Sequence, residues 1–319
     1  MIICQPSIKP KNKHLQSILA SSKIRLLRLR KRNPVVENQI EQNLETPLAT
    51  LLGFYTKHVE ESDTLAILLH GWEGSSQSTY IQLLADSLYQ KGLDIYRLNL
   101  RDHGDSHHMN EDLFHSCRID EVVLAVQNIQ AQFPNKQLVI CGFSLGGNFA
   151  LRLAAKAQDA GLAFKHVFAV SPPIIPKHSM QAIHASKLYN KYFLRKWKRS
   201  LHIKHQLFPH IFSDHNWQQE ENLERLTQKL IVAHTEYSST DDYFNGYAIT
   251  PDVIRAINCP TDIITAWDDP VIPFKDFSTI DRLPQVRILT TAHGGHCGFI
   301  QGWHMRSWIE DHVIKEITI

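Results

Sequence analysis

Gly142-Phe143-Ser144-Leu145-Gly146-Gly147 follows the apolar run Leu138 to Cys141 and leads into a helix-forming stretch from Asn148. A serine between small residues at a strand-to-helix turn is the G-x-S-x-G elbow, in which a tight reversal of the chain lifts the hydroxyl above the sheet. The turn is so sharp that a Cβ beside the serine would crowd the backbone, and glycines at 142, 146 and 147 leave that room. Ser144 is therefore the candidate nucleophile.

On both sides of this turn, strand-like and helix-like segments alternate. Thr64 to Leu69 is a continuous apolar run of the kind a strand buried on both faces requires. Tyr80 to Lys91 carries apolar residues at helical spacing and stops at Gly92; Ile95 to Leu100 reads as a strand and Arg118 to Gln132 as a helix ended before Pro134. His166 to Val170 reads as the strand after the elbow helix, and Leu48 to Val59 as two short strands around Gly53. This alternation predicts an α/β fold with a mostly parallel central sheet and crossover helices on both faces. From Pro172 to Ile249 the residues are aromatic, basic and histidine-rich with helical patches and no central strand, which predicts a helical insertion over 172–249. Strands resume at Thr261 to Trp267 and Val286 to Leu289, and a helix from Gly302 to Ile314 closes the chain. One domain spanning 1–319 accommodates all of these elements.

Composition narrows the function classes. The 319 residues are 43% hydrophobic and 21% charged with a formal net charge of +2, so no global field recruits nucleic acid. The five cysteines, at 4, 117, 141, 259 and 297, are odd in number and lack C-x-x-C spacing, which predicts reduced thiols in a cytoplasmic protein. The N-terminus lacks a basic segment followed by an apolar core, and no apolar run reaches the length of a membrane span, so the expectation is a soluble chain. Residues 23–32 interleave arginine and lysine with aliphatic residues. The favoured reading packs Leu26, Leu27 and Leu29 on the body with solvated arginines; the alternative is peripheral contact with anionic lipid.

Attack by a hydroxyl needs a base to take its proton, an acid to orient that base, and donors for the oxyanion. In chains with this elbow the order is serine, acid, histidine, with the last two on loops after late strands. Asp268-Asp269-Pro270 follows the strand ending at Trp267, and His293-Gly294-Gly295-His296 follows the strand near Leu289. Asp269, directly before the Pro270 turn, is the candidate acid, and Asp268 braces the turn. His296, after two glycines, is the candidate base, and His293 a supporting residue. His70-Gly71-Trp72-Glu73-Gly74 follows the run ending at Leu69, where the first oxyanion loop belongs. The backbone N–H groups of Trp72 and Leu145 are the candidate donors, and His70 braces the loop. Arg101 to His108 is rich in histidine and aspartate but lacks ligand spacing, so it reads as a turn with Asp and Arg paired rather than a metal site.

These segments, with Asn12-Lys13-His14-Leu15-Gln16-Ser17 near the start, resemble the YheT-like branch of the α/β-hydrolase superfamily along nearly the whole chain. The resemblance implies a serine hydrolase of carboxylic esters without a cofactor, using Ser144, Asp269 and His296, with Asn12 to Ser17 as part of the hydrolase body. It implies a helical cap over the serine, and the aromatic residues of 172–249 are expected mostly to pack the insertion's own core. The expected substrate is a short- to medium-chain or lipid-like acyl ester. Two alternatives stand beside it: an acyltransferase passing the acyl group to an alcohol or thiol, and a noncatalytic binding protein of the same fold.

Overall fold

The computed structural model describes residues 1–29, 33–211 and 215–318. Its strands are β1 (Ile2–Ile3), β2 (Ile40–Glu45), β3 (Thr50–Thr56), β4 (Thr64–Leu69), β5 (Asp94–Leu98), β6 (Gln137–Phe143), β7 (Phe164–Val170), β8 (Thr261–Ala266), β9 (Val286–Thr291), β10 (Ile300–Gln301) and β11 (Arg306–Ser307). The helices are α1 (Lys13–Ser21), α2 (Pro34–Glu37), α3 (Thr79–Tyr89), α4 (Ile119–Gln132), α5 (Leu145–Lys156), α6 (Pro176–Ala185), α7 (Lys187–Leu207), α8 (Leu223–His234), α9 (Thr240–Gly246), α10 (Pro251–Arg255) and α11 (Trp308–Ile317).

Nine strands form one sheet in the order β1-β9-β8-β7-β6-β4-β5-β3-β2, parallel except at the β2–β3 and β3–β5 pairs. Side chains alternate across it. Leu65, Ile67, Leu69 and Ile140 pack with Val126 of α4 and Phe149 of α5 on one face, while Ala66, Leu68, Val139 and Phe168 pack with Leu84 of α3 and Val313 of α11 on the other. Burial on both faces is why β4 reads as an unbroken apolar run. Between β7 and β8 lie α6 to α10, and Leu201, Trp217, Leu226 and Leu230 of this segment form a small core with Leu113.

Two local readings change. Leu48 to Val59 holds one strand, because β3 runs straight through Gly53; a Cβ there would lie 2.4 Å from the Tyr96 hydroxyl oxygen on β5. Its partner is β2, a polar edge strand whose sequence IEQNLE carries little apolar signal. The last helix starts at Trp308 rather than Gly302: Gly302 turns at φ 56° within the β10–β11 hairpin, and Ser307 with Glu310 forms a capping box.

The basic stretch also differs from its favoured reading. Arg25 is buried, donating to the carbonyls of Ala20 and Met305 and to Glu310, and Arg28 grips Glu310 with two bonds of 2.9 Å. Leu27, expected on the body, is 82% exposed. A leucine in water and an arginine inside reverse the pattern that polarity alone suggests, because Glu310 at the start of α11 supplies the buried countercharge. Arg30, Lys31 and Arg32 of that stretch lie outside the described residues.

Candidate active site

The order of strands creates the crevice. From β4 the chain passes to β5 on one side, then returns to β6 on the other, so the loops after β4 and β6 diverge at a topological switch point, where open α/β sheets bind ligands. The loop after β4 is His70 to Gly74, and Ser144 directly follows β6.

Ser144 occupies φ 53°, ψ −120°, a strained conformation for a residue with a side chain, and its N–H donates to the Val170 carbonyl at 2.8 Å. The close approach of strand and helix demands glycine at two positions. A Cβ on residue 142 would lie 2.1 Å from the Gly146 carbonyl oxygen, and one on residue 146 would lie 2.4 Å from that of Leu69.

The loops after β8 and β9 deliver the partners. His296 Nδ1 donates to Asp269 Oδ2 at 3.0 Å, which leaves Nε2 to accept from the Ser144 hydroxyl at 2.8 Å. The Asp269 side chain is fully buried, and its other oxygen accepts the N–H groups of Val271 and Ile272 at 2.8 and 2.9 Å. Two backbone donors fix the plane of the carboxylate. Burial by itself disfavours the imidazolium of His296, but neighbouring Cys297 and the Asp269 carboxylate outweigh it, so the pKa lies well above the ordinary histidine value.

Asp268 has a different task. It accepts the Gly295 N–H at 2.9 Å and meets His293 Nδ1 at 3.2 Å, tying the β8 loop to the loop that carries His296. From the opposite end of the chain, Ser17 of α1 accepts the His296 backbone N–H at 2.8 Å while donating to the Lys13 carbonyl at 2.7 Å. Gln16 clamps Ile300 from both sides, its amide donating to the carbonyl at 3.2 Å and its oxygen accepting the N–H at 2.8 Å. Residue-by-residue reading did not find the Ser17 and Gln16 contacts, and the resemblance of Asn12 to Ser17 marked that segment only as part of the hydrolase body.

The loop after β4 is braced by His70. Its Nε2 accepts the Leu100 N–H at 3.1 Å, so Nδ1 carries the proton and donates to the Gly71 carbonyl at 2.8 Å. Burial lowers its pKa to about 4, keeping it neutral and fixed in that tautomer. Gly71 N–H is taken by the Tyr80 hydroxyl at 3.0 Å. Leu145 opens α5, so its N–H has no acceptor within the helix, and the helix N-terminus adds partial positive charge. Trp72 and Leu145 both border the cavity beside Ser144.

That cavity, of about 90 Å³, is largely apolar, walled by Met180, Ile183, Phe193, Trp197, Phe244 and Ile272 among others. Of the insertion aromatics, Phe193, Trp197, Tyr243, Phe244 and Tyr247 line the cavity, whereas Trp217 packs with Leu113, Leu201, Leu226 and Leu230. Phe212 lies outside the described residues. Helix α7, which lines the cavity with Phe193 and Trp197, is fastened at three places. His14 Nδ1 pairs with the Tyr189 hydroxyl at 3.0 Å, Phe193 stacks on Trp72 with centroids 5.4 Å apart, and Lys204 donates to Asp102 at 2.8 Å.

The last contact revises the Arg101 to His108 turn. Arg101 and Asp102 do not pair with each other: Arg101 binds Glu121 at 2.7 Å, and Asp102 takes Lys204 and the Phe114 N–H, both at 2.8 Å. His103 Nδ1 lies 2.7 Å from the Arg101 carbonyl and His107 Nε2 lies 2.7 Å from the Ser200 hydroxyl. Asp102 and His107 of this turn join it to α7 of the insertion.

A buried carboxylate, an imidazole and a hydroxyl in sequence constitute a proton-transfer chain that can activate the hydroxyl for attack on a carbonyl. Comparison with known proteins agrees with the architecture. Residues 66–302 match the model of the alpha/beta hydrolase fold family. The chain is 27% identical over 260 residues to "Putative esterase YheT" of Escherichia coli (strain K12), covering 79% of this chain and 76% of that one. It is 20% identical over 258 residues to Phospholipase ABHD3 of Homo sapiens, covering 79% of this chain and 63% of the human one. The solved structure of the Pyrococcus furiosus esterase Pf2001 has a TM-score of 0.58 at 15% identity, with 100% of this chain and 97% of that chain covered. The parallel sheet, the elbow after β6 and the family match together make this chain a member of the α/β-hydrolase fold family.

Proposed function

We propose that the protein is a serine hydrolase that cleaves carboxylic esters through an acyl-enzyme on Ser144. His296 takes the hydroxyl proton as Oγ attacks the ester carbonyl, then gives it to the departing alkoxide; Asp269 holds the imidazole in the required tautomer and stabilises the imidazolium. The N–H groups of Trp72 and Leu145 receive the oxyanion. Water, deprotonated by the same imidazole, then releases the acid and restores Ser144. The observation that carries this reading is the unbroken Asp269–His296–Ser144 chain, with contacts of 3.0 and 2.8 Å, opening on an apolar cavity.

The substrate class is a short- to medium-chain or lipid-like acyl ester, supported by the apolar walls of the cavity and by the esterase and phospholipase names of the relatives. The chain acts as one hydrolase domain with residues 172–249 as its cap. All five cysteines are free thiols, which supports a reducing, cytoplasmic setting. No helix among the described residues is long and apolar enough to cross a membrane. Within 23–32, Arg25 and Arg28 are engaged internally, which leaves Lys23, Ile24 and Leu27 among the described residues as groups that would meet lipid.

Treatment of the wild type and Ser144→Ala with a fluorophosphonate probe, alongside p-nitrophenyl esters of increasing chain length, tests the assignment. Labelling and turnover are expected for the wild type alone. Equal labelling of the two proteins overturns it.

A further inference from the structure

Two stretches of the chain are basic and contain no carboxylate. Residues 1–36 hold nine Lys and Arg with no Asp or Glu, and residues 160–213 hold another nine, again with none, so together they carry more than half of the chain's 34 basic residues. The fold brings them together. His14 of α1 and Tyr189 of α7 pair at 3.0 Å with their rings stacked, so the two helices meet at this contact.

These exposed sides share one chemistry. On α7, Lys187, Lys191, Arg195 and Arg199 recur every four residues and all lie exposed, forming a single basic stripe. Beside it Leu188 is 52% exposed. On α1, Leu15 and Ile18 are 43% and 52% exposed, with Lys11 and Lys13 exposed at its start. Ile24 and Leu27 continue the aliphatic series in the turn that follows, at 51% and 82% exposure. Five aliphatic side chains, 43–82% exposed on stretches that hold no carboxylate, describe a face made for an apolar medium behind anionic groups.

We propose that the joined α1–α7 face docks on the surface of an anionic phospholipid bilayer, with the α7 stripe on the headgroups and Leu15, Ile18, Ile24, Leu27 and Leu188 inserted below them. The opposite side of α7 supplies Phe193 and Trp197 to the cavity over Ser144. Docking therefore brings the cavity to the lipid, and this consequence rests on the proposed ester hydrolysis. The docking face is wider than the 23–32 stretch and centred elsewhere, because the two arginines of that stretch are paired with Glu310. A nucleic acid would use the lysines but give no burial to the aliphatic residues, so a bilayer fits the whole face better.

Co-sedimentation with vesicles of phosphatidylcholine alone, or of phosphatidylcholine with phosphatidylglycerol, tests the proposal. The wild type is expected to sediment with the anionic vesicles and to be released by salt. Each basic residue near such a surface changes the binding constant about fivefold, so combining Lys187→Gln, Lys191→Gln and Arg195→Gln weakens binding on the order of 100-fold. Turnover of a water-soluble ester by this variant stays at the wild-type level, which shows that it is folded. Ile18→Ser with Leu188→Ser lowers binding at every salt concentration. Ser144→Ala binds as the wild type does, so failure of the hydrolase assignment and failure of the docking assignment give different results. Absence of sedimentation with anionic vesicles, equal sedimentation with neutral ones, or undiminished binding by the triple variant overturns the proposal.

Discussion

The backbone N–H of His296 donates to the hydroxyl of Ser17 at 2.8 Å, across a sequence separation of 279 residues. This bond fixes the loop on which the imidazole stands, and Asp268 holds the same loop through Gly295 at 2.9 Å. Ser17 touches neither Ser144 nor the carboxylate. It acts through the position of His296.

Ser17→Ala removes the acceptor and leaves a half-buried N–H to water. Because the imidazole must stay within hydrogen-bond reach of the serine, kcat is expected to fall about tenfold while KM is unchanged, since no cavity wall is altered. Ser17→Thr keeps an acceptor and restores most of the rate. Steady-state kinetics with a soluble ester checks both, and equal rates for Ser17→Ala and wild type would contradict the positioning role.

The paired aspartates separate cleanly. Asp269→Asn loses the orienting carboxylate and is expected to lower kcat on the order of 10³- to 10⁴-fold, whereas Asp268→Asn weakens only loop contacts and costs about tenfold. Equal losses would mean that the acid has been misassigned.

The pH profile follows from the raised pKa of His296. Only the neutral imidazole accepts the serine proton, so kcat/KM is low in acid and climbs as pH rises through the free-enzyme pKa. The midpoint is expected above the ordinary histidine value of about 6.5. Removing the Asp269 charge favours the neutral imidazole, and the residual activity of Asp269→Asn should titrate at lower pH. A midpoint unmoved by that substitution argues against the ion pair.

Acid stability depends on other histidines. Burial depresses His70, His107 and His115 to about 4 and holds His103 well below its usual value. Unfolded chain binds these protons near pH 6.5 while folded chain refuses them, so their contribution is complete above about 6.5 and declines as pH falls toward 4. Each costs on the order of 1 kcal/mol per pH unit in that window. His296, raised instead, contributes stability that is complete below about 6.5 and leaves this window unchanged, while Glu73, raised to about 8 by burial, opposes the trend as one group against four. Thermal melts are expected to show Tm falling from pH 7 to pH 5, and replacing His107, on the insertion contact, with Gln to flatten the slope; a flat wild-type curve refutes the account.

Chain length reports on the cavity. Each methylene buried against Met180, Ile183 and Phe193 contributes about 0.8 kcal/mol, a rise of roughly fourfold in kcat/KM per carbon until the space is filled. Met180→Trp narrows it and is expected to shift the optimum to shorter esters. An optimum that ignores this substitution would place the acyl chain elsewhere.

The sequence by itself determined whatever depends on local sterics and period. Glycines around Ser144 are demanded by contacts within the elbow and with the adjacent strand end, and the apolar runs of β4 and β6 follow from burial on both faces. The order of elbow, aspartate pair and histidine loop fell out of the same alternation. Polar β2 and two-residue β1 stayed hidden, since edge strands need no apolar face, and Gly53 misled because its reason, the ring of Tyr96, sits on another strand. Only the tertiary structure decided which aspartate meets His296, that Ser17 holds its loop, that Arg25 goes inside against Glu310, and that Lys204 ties α7 to Asp102. Those pairings join groups tens to hundreds of residues apart, and neither member carries a local mark of its partner; what selects them is the cost of leaving a buried polar group unsatisfied, which exists only once the chain is packed.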